Sequence, residues 1–249
     1  MLEHAATSGY RVSCPKPEAQ QGFARLPKAH EGPDIHLERE GNRIWIEAVA
    51  VTRGDPSKAD SLVEPNPTEI PEEKIVLRYT SAIRQKYQQY FHYLRNRIIR
   101  KSDAYVVALN GSALGYWRSP AWDVPRFLKA LYPIGKPQLL LDKKSREVVD
   151  TGNQPRFTIV KAQGSPVPVQ AFIDRRWRGI SAVIHSCAHA DMGRFCAHED
   201  MGRLGFEFEI AYNPLARQPV SRGVIPAKIE WWSKLSDAEG ELFSERQAQ

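Results

Sequence analysis

The stretch Arg43-Ile44-Trp45-Ile46-Glu47-Ala48-Val49-Ala50-Val51 constrains this chain more than any other. It is apolar and rich in β-branched residues, which reads as a strand covered on both faces, and such a strand belongs in a sheet with material packed on either side. One carboxylate, Glu47, interrupts it at a depth where an unpaired charge is strongly disfavoured, so some partner must meet it. Just upstream, Asp34-Ile35-His36-Leu37-Glu38-Arg39 alternates, and Glu40-Gly41-Asn42 is turn-forming. Together these segments form a hairpin.

A long irregular crossover over 53–73, marked by Gly54, Pro56, Pro65, Pro67 and Pro71, leads into a helix expected from about Arg78 to Arg100. On a helical wheel Ile83, Tyr87, Tyr90, Phe91, Leu94 and Ile98 share one face. Asp103-Ala104-Tyr105-Val106-Val107-Ala108-Leu109 is a second buried strand, closing at Asn110-Gly111, so hairpin, helix and strand make one α/β unit. Later strands are expected at 138–141, 157–161, 179–185 and 206–212. Residues 1–30 read as a mostly flexible segment, 31–234 as a single α/β domain, and 235–249 as a fraying polar tail.

With 249 residues, 42% of them hydrophobic and 26% charged, the chain can close one large core and is not broadly disordered. It has no apolar run of the ~18 to 20 residues that a bilayer requires and no basic-then-apolar leader, so membrane insertion and secretion are not expected. Three cysteines, Cys14, Cys187 and Cys196, suit a reducing cytoplasm better than a disulfide framework. The net charge of +6 is compatible with a polyanionic partner or with a solvated basic surface. No P-loop, Gly-x-Ser-x-Gly elbow or His-Glu-x-x-His occurs, which leaves NTPase, α/β-hydrolase and zincin chemistry without support.

Pro33-Asp34 and, thirteen residues on, Glu47 place two carboxylates on adjacent strands of one hairpin. Converging at one end of a sheet, they offer the hard oxygens that hold Mg²⁺. The order of hairpin, acidic pair, helix and buried strand over residues 33–110 resembles the PD-(D/E)xK nuclease superfamily. The resemblance implies a restriction-endonuclease-like core: a mixed α/β fold with a central mixed sheet flanked by helices, here with C-terminal strand additions. In that family an Asp on one strand is followed by Glu-x-Lys on the next. Val49 stands where the Lys is expected, and in branches of the family the Lys lies on the following helix. Lys86, about 90° from the centre of the apolar face, is the candidate, because an edge position lets a long side chain run along the packed surface toward the site.

The resemblance further implies Mg²⁺ or Mn²⁺ held by Asp34, Glu47 and the Ala48 carbonyl, with Lys86 as a catalytic residue in phosphodiester hydrolysis of nucleic acid, chiefly DNA. It admits a homodimer that cuts both strands. The alternative is an inactive nucleic-acid-binding or interaction module of the same fold. On that view Asp34 starts a strand, Glu47 pairs with Arg43 or Arg78, and Lys86 lines a solvated helix flank.

Two other groups stand out. Arg175, Arg176 and Arg178 flank Trp177, a pattern that suits phosphate contact and base stacking as well as an anchored loop. His185, Cys187, His189, Cys196 and His198 crowd together in types that suit Zn²⁺, but zinc is not expected there. Their Cys-x-His spacing fits one ion poorly. A tandem duplication, with 196–204 repeating 187–195 at seven of nine positions, accounts for the cluster by itself.

Overall fold

The computed structural model describes residues 6, 9–14, 32–62, 70–114, 124–187, 208–235 and 240–246. Strand β1 (Arg11–Ser13) pairs antiparallel with β2 (Ile35–Arg39), and β2 pairs antiparallel with β3 (Asn42–Ala50). Between β2 and β3, Glu40 (φ 52°) and Gly41 (φ 79°) both take left-handed backbone, the geometry a two-residue type I′ turn requires. Helix α1 (Glu72–Arg95) carries the chain back so that β4 (Ala104–Asn110) lies parallel to β3, in register from Ile44↔Ala104 to Ala50↔Asn110.

A one-turn helix α2 (Leu128–Leu131) precedes the hairpin of β5 (Ile134–Leu141) and β6 (Val148–Pro155), and β7 (Thr158–Val160) pairs with β8 (Pro166–Pro168). Then come β9 (Ala182–Ser186), β10 (Glu209–Tyr212), β11 (Ile229–Leu235) and β12 (Gly240–Arg246). Eight strands form one mixed sheet in the order β1-β2-β3-β4-β9-β10-β11-β12. The protein is therefore α/β with a large mixed sheet.

Alternation along the strands sorts the two faces. Trp45, Tyr105, Val107, Leu109 and Val183 pack against Val76, Tyr79, Ile83, Tyr90, Leu128 and Phe172, so α1 and α2 cover one face. Ile44, Ile46, Val106, Ile184 and Ile210 face the other side, where Val220, Ile225 and Ala227, from the chain after β10, cover them. Among the described residues α1 and α2 thus lie on one face of the sheet, and the segment after β10 covers the other.

Other expectations are corrected. Helix α1 begins six residues before Arg78: Glu72 and Glu73 follow Pro71 into the first turn, where acidic groups favour the helix N-terminus. It stops at Arg95, because Arg97 turns left-handed (φ 58°) and the Ile98 N–H closes back onto the Tyr93 carbonyl at 3.0 Å. Phe91, assigned to the apolar face, is 46% exposed, while Tyr93 is buried in its stead.

The tail does not fray throughout, since β12 pairs with β11 from Ile229↔Arg246 to Leu235↔Gly240. At the other end β1 falls inside the segment read as flexible. The expected strand at 138–141 belongs to a longer hairpin whose Leu139, Leu140 and Leu141 are exposed. Among the described residues no helix is long and apolar enough to cross a membrane.

Candidate active site

Trp45, Glu47 and Val49 are alternate residues of β3 and face α1, so the one carboxylate of the strand points into the layer between sheet and helix. It is met there. Glu47 Oε1 accepts a hydrogen bond from Lys86 Nζ at 2.7 Å, and Glu47 Oε2 accepts one from Tyr93 Oη at 3.2 Å. The carboxylate is 1% exposed and the Lys86 side chain 12%. Lys86 and Tyr93 stand two helical turns apart on the same side of α1, which is why both reach one strand residue. The ammonium that meets Glu47 thus comes from α1 and not from β3, where Val49 stands two residues on.

Tyr105, the β4 residue beside Trp45, donates from its hydroxyl to the Lys86 carbonyl at 3.1 Å and pins this turn of α1 to the sheet. Burial first, and the Glu47 charge second, push the Tyr93 and Tyr105 hydroxyls well above the usual phenol range, so both stay protonated as donors at neutral pH.

Asp34 arrives by a different route. The β2–β3 ladder ends at Ile35↔Ile46, which leaves the β3 backbone beyond that pair without a β2 residue opposite it. Asp34, immediately before β2, fills the place: its Oδ2 accepts from the Ala48 N–H at 2.7 Å. The residue chosen as a ligand from sequence thus lies against the backbone of the residue that follows Glu47. The electrostatic fields of Asp34 and Glu47 act together on Tyr93 and Tyr105.

Neither arginine considered as a partner for Glu47 takes that part. Arg43 Nη2 bonds Asp103 Oδ1 at 2.7 Å, and Asp103 also accepts from Trp45 Nε1 at 3.1 Å and from the Arg100 N–H at 2.8 Å. Arg78 lies against Gly54. Tyr93 is the site residue that sequence reading missed. Its signal was available, since it falls two turns after Lys86.

Among the described residues no group of three or more His, Cys, Asp or Glu side chains gathers in a way that could hold a metal. A metal here would rely on the two carboxylates Asp34 and Glu47, with a backbone carbonyl and water completing its shell. That donor set fits Mg²⁺, which keeps several waters and takes one or two carboxylates, and does not resemble a closed zinc site.

The basic segment forms a 3₁₀ turn, Arg175–Trp177, whose N-cap Asp174 accepts from the Arg176 N–H at 2.9 Å and pairs with Arg176 Nη2 at 2.6 Å. Trp177 stacks on Tyr87 of α1 with ring centroids 4.9 Å apart. One face of this ring is therefore spent on packing, while Arg175 and Arg178 stay exposed.

Of the Cys/His group, His185 and Cys187 are placed, and His189, Cys196 and His198 lie outside the described residues. His185 Nε2 lies 2.8 Å from Tyr79 Oη and 3.6 Å from Cys187 Sγ, and its ring stacks on Phe127 at 4.6 Å. Burial pushes its pKa down to about 4, so this imidazole is neutral at physiological pH.

In comparisons with known proteins, no family model matches this chain, and neither the curated proteins nor the solved structures give a match.

Proposed function

We propose that this chain is a Mg²⁺- or Mn²⁺-dependent nuclease of the PD-(D/E)xK kind, hydrolysing phosphodiester bonds in DNA with Asp34, Glu47 and Lys86 at its centre. The observation that carries this reading is the 2.7 Å contact between Lys86 Nζ and Glu47 Oε1, made across 39 positions of sequence at the spot where Val49 replaces the expected lysine. The strand order supports it, with an antiparallel hairpin followed by a helix and a parallel strand.

In this reading Asp34, Glu47 and the Ala48 carbonyl would hold the ion. When bound, it would lower the pKa of the attacking water and neutralise charge on the phosphoryl oxygens. Asp34 is oriented by the Ala48 amide and Glu47 by Tyr93, so both carboxylates are set before substrate arrives. The Lys86 ammonium orients the nucleophilic water or meets the negative charge that develops on the phosphorus oxygens. Tyr105 keeps that turn of α1 in place and acts as a positioning residue. A homodimer would serve cleavage of both strands, and the free thiols Cys14 and Cys187 suit a reducing cytoplasm.

The test is cleavage of supercoiled and single-stranded DNA with Mg²⁺ or Mn²⁺ by wild type, Glu47→Ala and Lys86→Ala. Metal-dependent nicking reduced at least about 100-fold in both variants is the expected result. Salt-sensitive DNA binding with no cleavage by the wild type would reject the nuclease and leave the inactive binding module.

A further inference from the structure

After β3 the chain loops through Val51–Leu62, and this loop, the outer side of the first half of α1 and the β7–β8 hairpin enclose a cavity of about 510 Å³. Four cations line it, Lys58, Arg78, Arg84 and Lys161, against a single carboxylate, Asp60. That carboxylate is engaged already, accepting from the Ala162 N–H at 2.8 Å. Among the described residues none of the four cations forms a salt bridge, although Lys58 acts electrostatically on the exposed Asp55 of the same loop, and Arg78 Nε is buried with no hydrogen-bond partner. With four cations against Asp60 and the nearby Asp55 the site keeps an excess of positive charge, and a buried donor left unmade is unfavourable, so the arrangement suits an anionic ligand.

The backbone makes room for this charge. Gly54 holds φ 96°, and a Cβ there would run into Arg78 Nη1. A residue with a side chain would therefore both strain the loop and displace the guanidinium. Two guanidinium groups present forked donors that match phosphate oxygens in pairs, and the two ammonium groups add charge. A single carboxylate would balance one of these cations, whereas a phosphoryl group or a run of phosphates balances several.

We infer that this cavity is a phosphate-binding site, separate from the Glu47–Lys86 site. Lys86 and Tyr93 face the sheet, whereas Leu77, Ser81 and Arg84 line the cavity from the outer side of α1. The inference stands whether or not Glu47 and Lys86 cleave DNA. The phosphates belong either to a nucleic-acid backbone or to a free phosphorylated compound.

The test is titration of the full chain, without divalent metal and at fixed low salt, with tripolyphosphate and separately with a labelled single-stranded oligonucleotide. Wild type is compared with Arg84→Gln/Lys161→Gln, which alters one exposed and one half-buried side chain, and with Arg78→Gln. Circular dichroism checks that each variant is folded. Tripolyphosphate binding weakened about 100-fold in the double variant is the expected result, at roughly tenfold for each lost charge-assisted contact. A parallel loss of oligonucleotide binding assigns the phosphates to nucleic acid, and unchanged oligonucleotide binding assigns them to a free phosphorylated compound. Failure of the wild type to bind tripolyphosphate at millimolar concentration, or equal binding by the folded double variant, would overturn the inference.

Discussion

Replacing Lys86 by Met keeps an unbranched stem of similar length along α1 and removes only the ammonium. In the wild type that ammonium lies 2.7 Å from a carboxylate that is 1% exposed, while the lysine side chain itself retains 12%. At neutral pH the variant therefore leaves Glu47 buried without its counter-cation. Removing one partner of a buried pair costs about 3–5 kcal/mol, and the residual contact of Lys86 with water puts this case near 3. In a chain of this size each kcal/mol shifts the melting temperature by roughly 2–4 °C, so Tm should fall by about 6–12 °C.

Adding Glu47→Gln to Lys86→Met removes the stranded charge while keeping an oxygen for the Tyr93 hydroxyl, and most of the stability should return. Urea unfolding followed by tryptophan fluorescence on the two single variants and the double variant gives the coupling directly, expected at about 2–3 kcal/mol. A Lys86→Met variant within about 0.5 kcal/mol of wild type would refute the reasoning, since that is the range of an ordinary surface substitution.

Three further outcomes follow from the packing. His185 is held at about 4 when folded and titrates near 6.5 when unfolded, so the unfolded chain takes up a proton that the native state refuses. The stability this contributes is complete above pH 6.5 and is lost as pH falls toward 4, by up to about 3 kcal/mol. Urea midpoints at pH 7.5 and pH 4.5 should differ less in His185→Gln than in wild type, and an unchanged acid-side slope would count against it.

At Gly111 a Cβ would strike Tyr79 Oη and stand 3.1 Å from His185 Nε2, so Gly111→Ala should cost about 1–3 kcal/mol by overpacking. A urea midpoint equal to wild type would show that Tyr79 yields freely. Asp103→Ala leaves Arg43, Trp45 and the Arg100 amide without the acceptor that joins β3 to the turn before β4, and a loss of about 3–5 kcal/mol is expected by the same measurement.

The parts of this molecule legible in sequence are those governed by neighbours. Alternation and the Glu40-Gly41 turn specify the β2–β3 hairpin, because a left-handed pair of residues closes such a turn wherever it occurs. The apolar run Ala104–Leu109 marks β4 for the same short-range reason. Even Lys86 could be chosen as a candidate to reach Glu47, since a helical wheel places it at the edge of the buried face. Boundaries were harder: α1 starts at Glu72 and not Arg78 because the first turn is settled by charge and tertiary packing more than by apolar period. Strand β12 escaped notice because a polar edge strand takes its stability from hydrogen bonds to β11 and carries little hydrophobic pattern of its own.

Sequence alone fixed that a carboxylate would be buried in β3 and would need a partner. Which partner it received was decided only by tertiary structure, because Arg43, Arg78 and Lys86 all satisfy the local pattern. The crossover of α1 over the sheet brings Lys86 and Tyr93 onto Glu47, turns Arg43 toward Asp103 and leaves Arg78 on the outer side of the helix. Pairings across such distances depend on how packed layers come to rest on one another, and that relation has no counterpart in the spacing of residues along the chain.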